Sequence, residues 1–500
     1  MREVAPYLFR FGFVQTAALA AAAALLAASP SLAAPAETTT RLSGPPGPTA
    51  KGKAAEFTAT VAGGKGGSAT GKVFFKENGE TLGSSKLAIR GIGKPADTGG
   101  EHTCALAANG RVKCWGNNFE GSLGNGSFVD SPEPVQVQGL VSGVRDIDVG
   151  IRHACALMFN RSVQCWGWNA LGQLGNGAQG NSADEGTPVK VRKLGRTVKD
   201  ISAGYLHSCA LTQTADTWCW GGALGNGSDT QSSLPAEVPD LAGRTIAITT
   251  GNTLTCAIVS AGSARSGGVK CFGRNEFGQL GNGTTDDSSS PVDVIRLNKR
   301  VVAISAGDNH VCALTDRGKV KCWGYNWAGQ LGNGGTDDRD TPVRVTGLPG
   351  RVAAIRAGGS HTCALLEKGT VYCWGWNRYG QLGNNTTSQS SVPVQVTKLK
   401  ARAVSISAGG RNSCAVTKGG KLMCWGNSTW GQVGNGKKGV LYILVPTNAV
   451  GFGSGKTTTY SAATFVTKKL SVGSHTIRAI YEGDAKHKSS ASYLLKHKVK

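Results

Sequence analysis

Ser305-Ala-Gly307-Asp-Asn-His310-Val-Cys312-Ala-Leu314, then Val320-Lys-Cys322-Trp323-Gly324, then Leu331-Gly-Asn-Gly334 and Pro342-Val-Arg-Val345 form one of seven copies of a single pattern in a chain of 500 residues. The first copy carries Cys104, Cys114-Trp115-Gly116, Leu123-Gly-Asn-Gly126 and Pro134-Val135. The last carries Cys414, Cys424-Trp425-Gly426, Val433-Gly-Asn-Gly436 and Pro446. The leading cysteines fall at 104, 155, 209, 256, 312, 363 and 414, a period of about 51 residues. Internal repeats of this length build solenoids, propellers or arrays. Within a copy, residues 302–307, 310–314, 320–323 and 342–345 read as four short strands. Asp316-Arg-Gly318 turns the second into the third, and the 73 glycines suit tight turns and little helix. Four strands in each of seven copies predict an all-β chain built on a seven-bladed β-propeller, an architecture that leaves only short, protected sheet edges.

The cysteines support this reading. All 14 lie in the repeats, two to a copy: Cys104 with Cys114, Cys155 with Cys165, Cys209 with Cys219, Cys256 with Cys271, Cys312 with Cys322, Cys363 with Cys373 and Cys414 with Cys424. In the first copy Asn109-Gly110 stands midway between the pair, and Asn-Gly is the strongest short hairpin signal. The two cysteines then face each other across an antiparallel pair, within reach of a disulfide. The pair at 256 and 271 is five residues longer, with Ser and Gly at the tip. Zinc would ask for Cys-x-x-Cys spacing with histidines in ligand geometry, and neither occurs. Seven disulfides point to an oxidising compartment. The N-terminus agrees: Arg2 and Arg10 flank an Ala-rich apolar run over 11–28, and small residues at 31–36 suit cleavage. Residues 1–36 are expected to be a signal peptide, and the mature chain an extracytoplasmic monomer without a transmembrane span.

The blocks Ser-Ala-Gly-x-x-His-x-Cys-Ala-Leu, Cys-Trp-Gly-x-Asn-x-x-Gly-Gln-Leu-Gly-Asn-Gly and Pro-Val-x-Val resemble the regulator of chromosome condensation repeat family over about 96–450. The resemblance implies a propeller. It also implies a choice of roles, since one exported branch of that family inhibits β-lactamases through a loop face. Another, nuclear, branch exchanges guanine nucleotide on a small GTPase and binds chromatin. A fold of this kind hosts many jobs, so function has to be argued from a site.

The flanks read as a second unit. Glu56-Phe-Thr-Ala-Thr-Val61 and 72–82 precede the repeats; Ala463-Thr-Phe465 and 470–481 follow them. Joined end to end, 37–90 and 456–500 resemble one bacterial Ig-like repeat domain. The propeller, 91–455, would then be inserted in a hairpin of that sandwich through the glycine-rich junctions Gly91-Ile-Gly93 and Gly451-Phe-Gly-Ser-Gly455. Exposed hairpin tips tolerate such guests when the guest's ends lie together. The net charge is +23, and residues 41–90 with 452–500 hold 17 Lys or Arg against 5 Asp or Glu. A basic exported surface fits anionic envelope polymers, lipid headgroups or free nucleic acid, and equally a plain solubilising coat.

Few residues are left to carry chemistry. His102, His153, His207, His310 and His361 repeat in one slot, replaced by Leu254 and Asn412 in the fourth and seventh copies. They read as structural groups bonding loop carbonyls. Trp115, Trp166, Trp220, Trp323, Trp374 and Trp425, with Phe272 in the fourth copy, read as packing between blades. Leu-Gly-Asn-Gly reads as a turn. Asp286-Asp287 and Asp337-Asp338-Arg-Asp340 lack calcium spacing and read as solvated turns. No metal, cofactor or catalytic set is expected. The variable positions lie between Cys-Trp-Gly and Leu-Gly-Asn-Gly. They hold Phe119, Trp168, Phe277, Tyr325, Trp327, Trp376, Tyr379 and Trp430, while the third copy has lost four residues there. Aromatics gathered on loops at one face make good anchors for a partner. The expected function is an exported binding or scaffold protein. A guanine-nucleotide exchange regulator and an adhesin for anionic polymers are the alternatives.

Overall fold

A computed structural model describes residues 38–43, 50, 55–63, 72–86, 88–90, 95–452, 460–467, 470–482, 488–492 and 494–499, apart from 108–109, 181, 195–196, 223, 229, 261–265 and 400. The expected signal segment, Asn109 and most of the junction glycines lie outside these residues. Each repeat folds as one antiparallel four-stranded blade made of contiguous chain: 96–136, 144–190, 198–237, 245–293, 301–344, 352–395 and 403–448, numbered blades 1 to 7, with a single strand pairing, Gly267 opposite Val301, joining blades 4 and 5. In blade 5 the strands are Val301–Ala306, His310–Thr315, Val320–Gly324 and Arg339–Arg344. The fourth starts before the Pro-Val motif that marks it in the sequence. Among the described residues the helical content is the 3-10 turn Pro239–Leu241 and a 3-10 residue at Gly110.

The blades are apolar on both faces, so the core sits between them. Cys312, Leu314, Val320, Cys322 and Leu331 of blade 5 pack with Ile355, Ala364, Leu366 and Trp374 of blade 6. The same pattern joins the chain's two ends, where Ala96, Ala105 and Trp115 of blade 1 meet Cys414, Leu422, Cys424 and Val433 of blade 7. The ring closes further at its centre. Gly99, Gly150, Gly204, Gly251, Gly307, Gly358 and Gly409 end the seven innermost strands. A Cβ on any of them would run into the carbonyl oxygen of the corresponding glycine in the next blade, and Gly409 abuts Gly99. Only glycine permits that approach. A belt of short polar side chains adds to the closure: Asp97, Ser202, Thr249, Ser305 and Ser407 each accept a hydrogen bond of 3.0 Å from a backbone N–H of the following blade.

All seven cysteine pairs are disulfides, one to a blade. Cys104 joins Cys114, Cys155 joins Cys165, Cys209 joins Cys219 and Cys256 joins Cys271. Cys312 joins Cys322, Cys363 joins Cys373 and Cys414 joins Cys424. Each bond links residues directly opposite on the second and third strands, with Cα atoms 4.1 Å apart. That is the close, non-hydrogen-bonded class of antiparallel neighbours. The sulfurs are buried in the inter-blade core.

The flanks pair with each other. One sheet runs Thr38–Ser43, Ala55–Gly63, Tyr460–Thr467, Ala88–Arg90; the other runs Ser490–Ala491, Gly473–Tyr481, Lys72–Glu77, Glu80–Lys86, with Leu495–Val499 also on Gly473–Tyr481. Alternation decides which side faces in: Ala55, Phe57, Ala59 and Val61 are buried against Val73, Phe75, Ile477, Ala479 and Tyr481. Residues from before and after the ring therefore share one core.

Candidate protein-binding face

Antiparallel strands return to the same end after every second connection. The Ser-Ala-Gly-x-x-His turns and the aromatic-bearing loops consequently share one face of the ring. Backbone bonds tie them together: the amides of Trp168, Tyr325 and Trp376 donate to the carbonyls of Arg152, Asn309 and Ser360.

Beneath this face lies a repeated stitch between blades. His153 Nε2 of blade 2 pairs with Ser208 Oγ of blade 3 at 2.8 Å, and that hydroxyl donates to the main-chain oxygen of Gln173, back in blade 2, at 3.0 Å. The hydroxyl spends its proton on the carbonyl, so the imidazole must donate from Nε2–H. The indole Nε1 of Trp220 donates to the same carbonyl at 2.8 Å. His310–Thr362–Gln330 and His361–Ser413–Gln381 repeat the relay, with Trp374 and Trp425 as the indole donors. His153, His310 and His361 thus reach loop carbonyls through a hydroxyl, not directly as the sequence led us to expect, while His102 bonds the backbone of Ile151 directly. Their Nδ1 atoms, apart from that of His102, are buried without a partner. A second proton there would have no acceptor, and burial drives the pKa values of His153, His310 and His361 down to about 3 and those of His102 and His207 to about 4. These are neutral structural groups.

The loops are knotted from below. Asn326 accepts from the Leu331 amide, donates to the carbonyls of Gly335 and Asp337, and gives its own amide to Asp338 at 2.7 Å. Asn118, Asn169 and Asn275 do the same with Asp130, Asp184 and Asp287. Asp287 and Asp338 are therefore structural acceptors, which corrects the reading of their loops as merely solvated. Burial raises the Asp338 carboxyl. Among the described residues no cluster of three or more His, Cys, Asp or Glu is arranged to hold a metal ion.

Held on this frame, the loop aromatics fall into separate groups. Phe119 is exposed at 77%, and Phe128 and Val129 in the same loop segment are exposed too. Trp168 stacks on Tyr205, with ring centroids 5.7 Å apart. Phe277 and Tyr325 meet at 4.3 Å. Trp327, Trp376, Tyr379 and Tyr442 form a continuous run across blades 5, 6 and 7, with centroid steps of 6.0, 5.3 and 6.3 Å. Arg411 lies 5.4 Å over Tyr379, and Lys438 lies 5.7 Å over Trp430. Inward of the run, burial raises the Asp308 carboxyl to about 6 against the opposing pull of Arg411. Sequence reasoning missed Tyr205, Tyr442 and Arg411. Tyr205 stands in a slot held by Gly100, Ile151, Asn252, Asp308, Gly359 and Gly410 in the other copies, where it is the single aromatic, and that was the available signal. Tyr442 sits on the outer strand, outside the aromatic column.

Comparison with known proteins agrees with this architecture. Residues 80–362 match the model of the RCC1-like domain, and 368–416, 352–381 and 403–432 match regulator of chromosome condensation (RCC1) repeats. The ultraviolet-B receptor UVR8 of Arabidopsis thaliana is 31% identical over 350 residues, 68% of this chain and 78% of that protein. The human E3 ubiquitin-protein ligase HERC2 is 32% identical over 64% of this chain, a match that takes in 7% of HERC2. Among solved structures, yeast RCC1 (Prp20) bound to Kap60 superposes with a TM-score of 0.61 at 23% identity, covering 76% of this chain and 90% of that one. Human WBSCR16 gives 0.59 at 22% identity, covering 71% and 98%. With its repeats matched and its fold superposed, the chain belongs to the RCC1-like domain family.

Proposed function

We propose that the protein is an exported binding module whose loop face captures another protein. The carrying observation is the aromatic run Trp327–Trp376–Tyr379–Tyr442, with Trp327 and Tyr442 exposed at 43% and 48%. Rigid aromatics with a guanidinium close by are the composition of interface anchors. Seven disulfides support an oxidising, extracytoplasmic setting. No helix among the described residues is long and apolar enough to cross a membrane. The paired flanks are read as an Ig-like mount for the ring. Family membership keeps the exchange-factor reading as the rival, since Prp20p of Saccharomyces cerevisiae was examined for binding to Gsp1p and histones.

The test is capture from secreted and envelope fractions by the intact protein and by a variant of unchanged melting temperature that combines Trp327→Ala, Trp376→Ala and Tyr379→Ala. Anchors of this kind are worth about 2 kcal/mol or more each, so the variant should lose its partner at least 30-fold. Equal capture by both proteins would overturn the reading. Acceleration of nucleotide release from purified small GTPases would replace it with exchange activity. Capture abolished by moderate salt alone would replace it with adhesion to anionic polymers.

A further inference from the structure

Blade 3 breaks the sevenfold pattern. Between Cys-Trp-Gly and Leu, the other blades carry six residues ending in Gly-Gln, Gly-Ser or their equivalent; blade 3 carries two, 222 and 223. At six blade interfaces the glycine of that turn lies against the outer strand of the following blade: Gly121 on Gly186, Gly172 on Ser233, Gly278 on Asp340, Gly329 on Ser391, Gly380 on Leu444 and Gly431 on Pro132. The residue after that glycine presents its carbonyl to the next blade's tryptophan. At the blade 3–blade 4 interface both are missing. What remains is an open cavity of about 520 Å³, floored by Leu206, Leu224 and Phe272 and walled by Arg274 and Ser289.

The sequence on the far wall has adapted to the missing turn. Blade 4 carries Phe272 where the six other blades carry tryptophan, so no indole N–H is left without its carbonyl. Thr255 Oγ1 still receives His207 Nε2 at 2.7 Å. In four other blades the equivalent hydroxyl donates onward to the turn's carbonyl. Thr255 and Phe272 stay fully buried, so the cavity opens in front of them, along the outer strand of blade 4 at Ser288 and Ser289.

We infer that this notch is the docking pocket for a protruding glycine-containing turn of a partner protein, which enters where the chain's own turn sits at the other six interfaces. The glycine would lie against Ser289, and the half-buried Leu206 and Ser288 would flank the turn, while Leu224, Thr255 and Phe272 stay buried behind them. Arg274 and Asp287 both stand exposed at the rim, and Asp287 already accepts the Asn275 amide at 2.7 Å, which leaves the guanidinium free to favour a turn that carries a carboxylate. The chain's own blade 4 turn, Asn275-Glu276-Phe277-Gly278-Gln279-Leu280, has this composition.

The inference rests on the loop face being the contact surface and names the shape it takes. The probe is a disulfide-cyclised peptide of residues 274–283, titrated against the full chain by calorimetry. Binding is expected in the micromolar to millimolar range, tenfold weaker for a peptide carrying Gly278→Ala. It should be lost when residues 222–223 are replaced by a copy of 274–279, which refills the notch from within. Should the refilled loop fail to fold, a Ser289→Trp variant fills the notch from the opposite wall and serves in its place; it should lose binding likewise. The triple alanine variant at Trp327, Trp376 and Tyr379 should bind the peptide as the parent does. No binding at millimolar peptide, or equal binding by the filled variants, overturns the notch while leaving the aromatic face to be judged by its own capture experiment.

Discussion

A buried imidazole that must stay neutral makes the fold sensitive to acid. The five stitch histidines have folded pKa values of about 3 to 4, lowered by burial, against an ordinary value of 6.5. Above pH 6.5 neither the folded nor the unfolded state binds the proton and stability is complete. Below it the unfolded chain takes up protons that the folded one refuses, so stability falls from pH 6.5 down toward pH 3 to 4. Each histidine should cost about 2 kcal/mol at pH 5. Denaturant titrations at pH 7.5 and pH 5, with disulfides intact, should show this loss. His361→Asn should reduce the pH slope by about one proton, since blade 7 already uses Asn412 in the same slot, reaching Thr98 Oγ1. An unchanged slope would mean that His361 is protonated in the fold. His102 is the exception that checks the relay itself. Its Nε2 is buried without a partner, because blade 2 carries Ala154 where Thr103, Ser208, Thr255, Thr362 and Ser413 stand in other blades. Ala154→Ser should supply that partner and stabilise by about 1 kcal/mol, seen as a melting temperature a degree or more higher. The slot in which Leu254 replaces His follows the same logic, because its neighbour in the next blade is Val311, which has no hydroxyl.

At the scale of a blade, what could be read from the sequence depended on how far apart the partners lie along the chain. Strands, hairpins and cysteine pairs were legible because every cysteine pair closes within fifteen residues and every strand pairing inside a blade within twenty-six, the longest being Gln164 with Lys190. Cys155 and Cys165 stand opposite each other, as do Cys209 and Cys219, and Cys363 and Cys373, where the spacing put them. Cys256 and Cys271 kept their opposition despite the longer tip. The stitch was not legible, because its atoms come from neighbouring repeats and run forward through a hydroxyl and back to a carbonyl. The loop aromatics could be placed as a drifting column. That Trp376 and Tyr379 join Trp327 and Tyr442 depends on the rotation from one blade to the next, which no single repeat encodes. The shortened loop of blade 3 was visible as a deletion, but its pairing with Phe272 needed the carbonyl from Gln279 to Trp323 at 2.9 Å as a template. That pairing makes a thermodynamic cycle. Phe272→Trp in the parent should bury an unsatisfied indole N–H and cost about 1–3 kcal/mol. In the background where 222–223 are replaced by a copy of 274–279, the same substitution should cost little, because the carbonyl is back. Equal costs in both backgrounds, measured by urea denaturation, would separate the phenylalanine from the missing turn.

For the whole molecule, two closures share one constraint. Blade 1 and blade 7 are each made of contiguous chain, so no strand is exchanged to lock the ring; Gly410 N to Gly99 O, Ser407 Oγ to Asp97 and Trp115 Nε1 to Gln432 O do that work without a covalent link. Just outside the ring, Ala88–Arg90 pairs with Tyr460–Thr467, Arg90 opposite Tyr460. The segments entering blade 1 and leaving blade 7 are therefore held side by side by the sandwich, and the ring in turn brings the sandwich's two halves within reach. Tyr460–Thr467 and Gly473–Tyr481 are inner strands of their sheets, so a chain ending at residue 452 cannot build either sheet and residues 38–90 should unfold. The ring should survive on its inter-blade cores and disulfides but lose the tether on its ends. That tether is worth at most about 6 kcal/mol for a closed segment of this length. The loss should be local: amide exchange should rise in the outer parts of blades 1 and 7 while blades 3 to 5 keep their protection. Uniform protection across all seven blades of the truncated chain would show that the blade 1–blade 7 contacts close the ring unaided, and that the sandwich serves only to carry it.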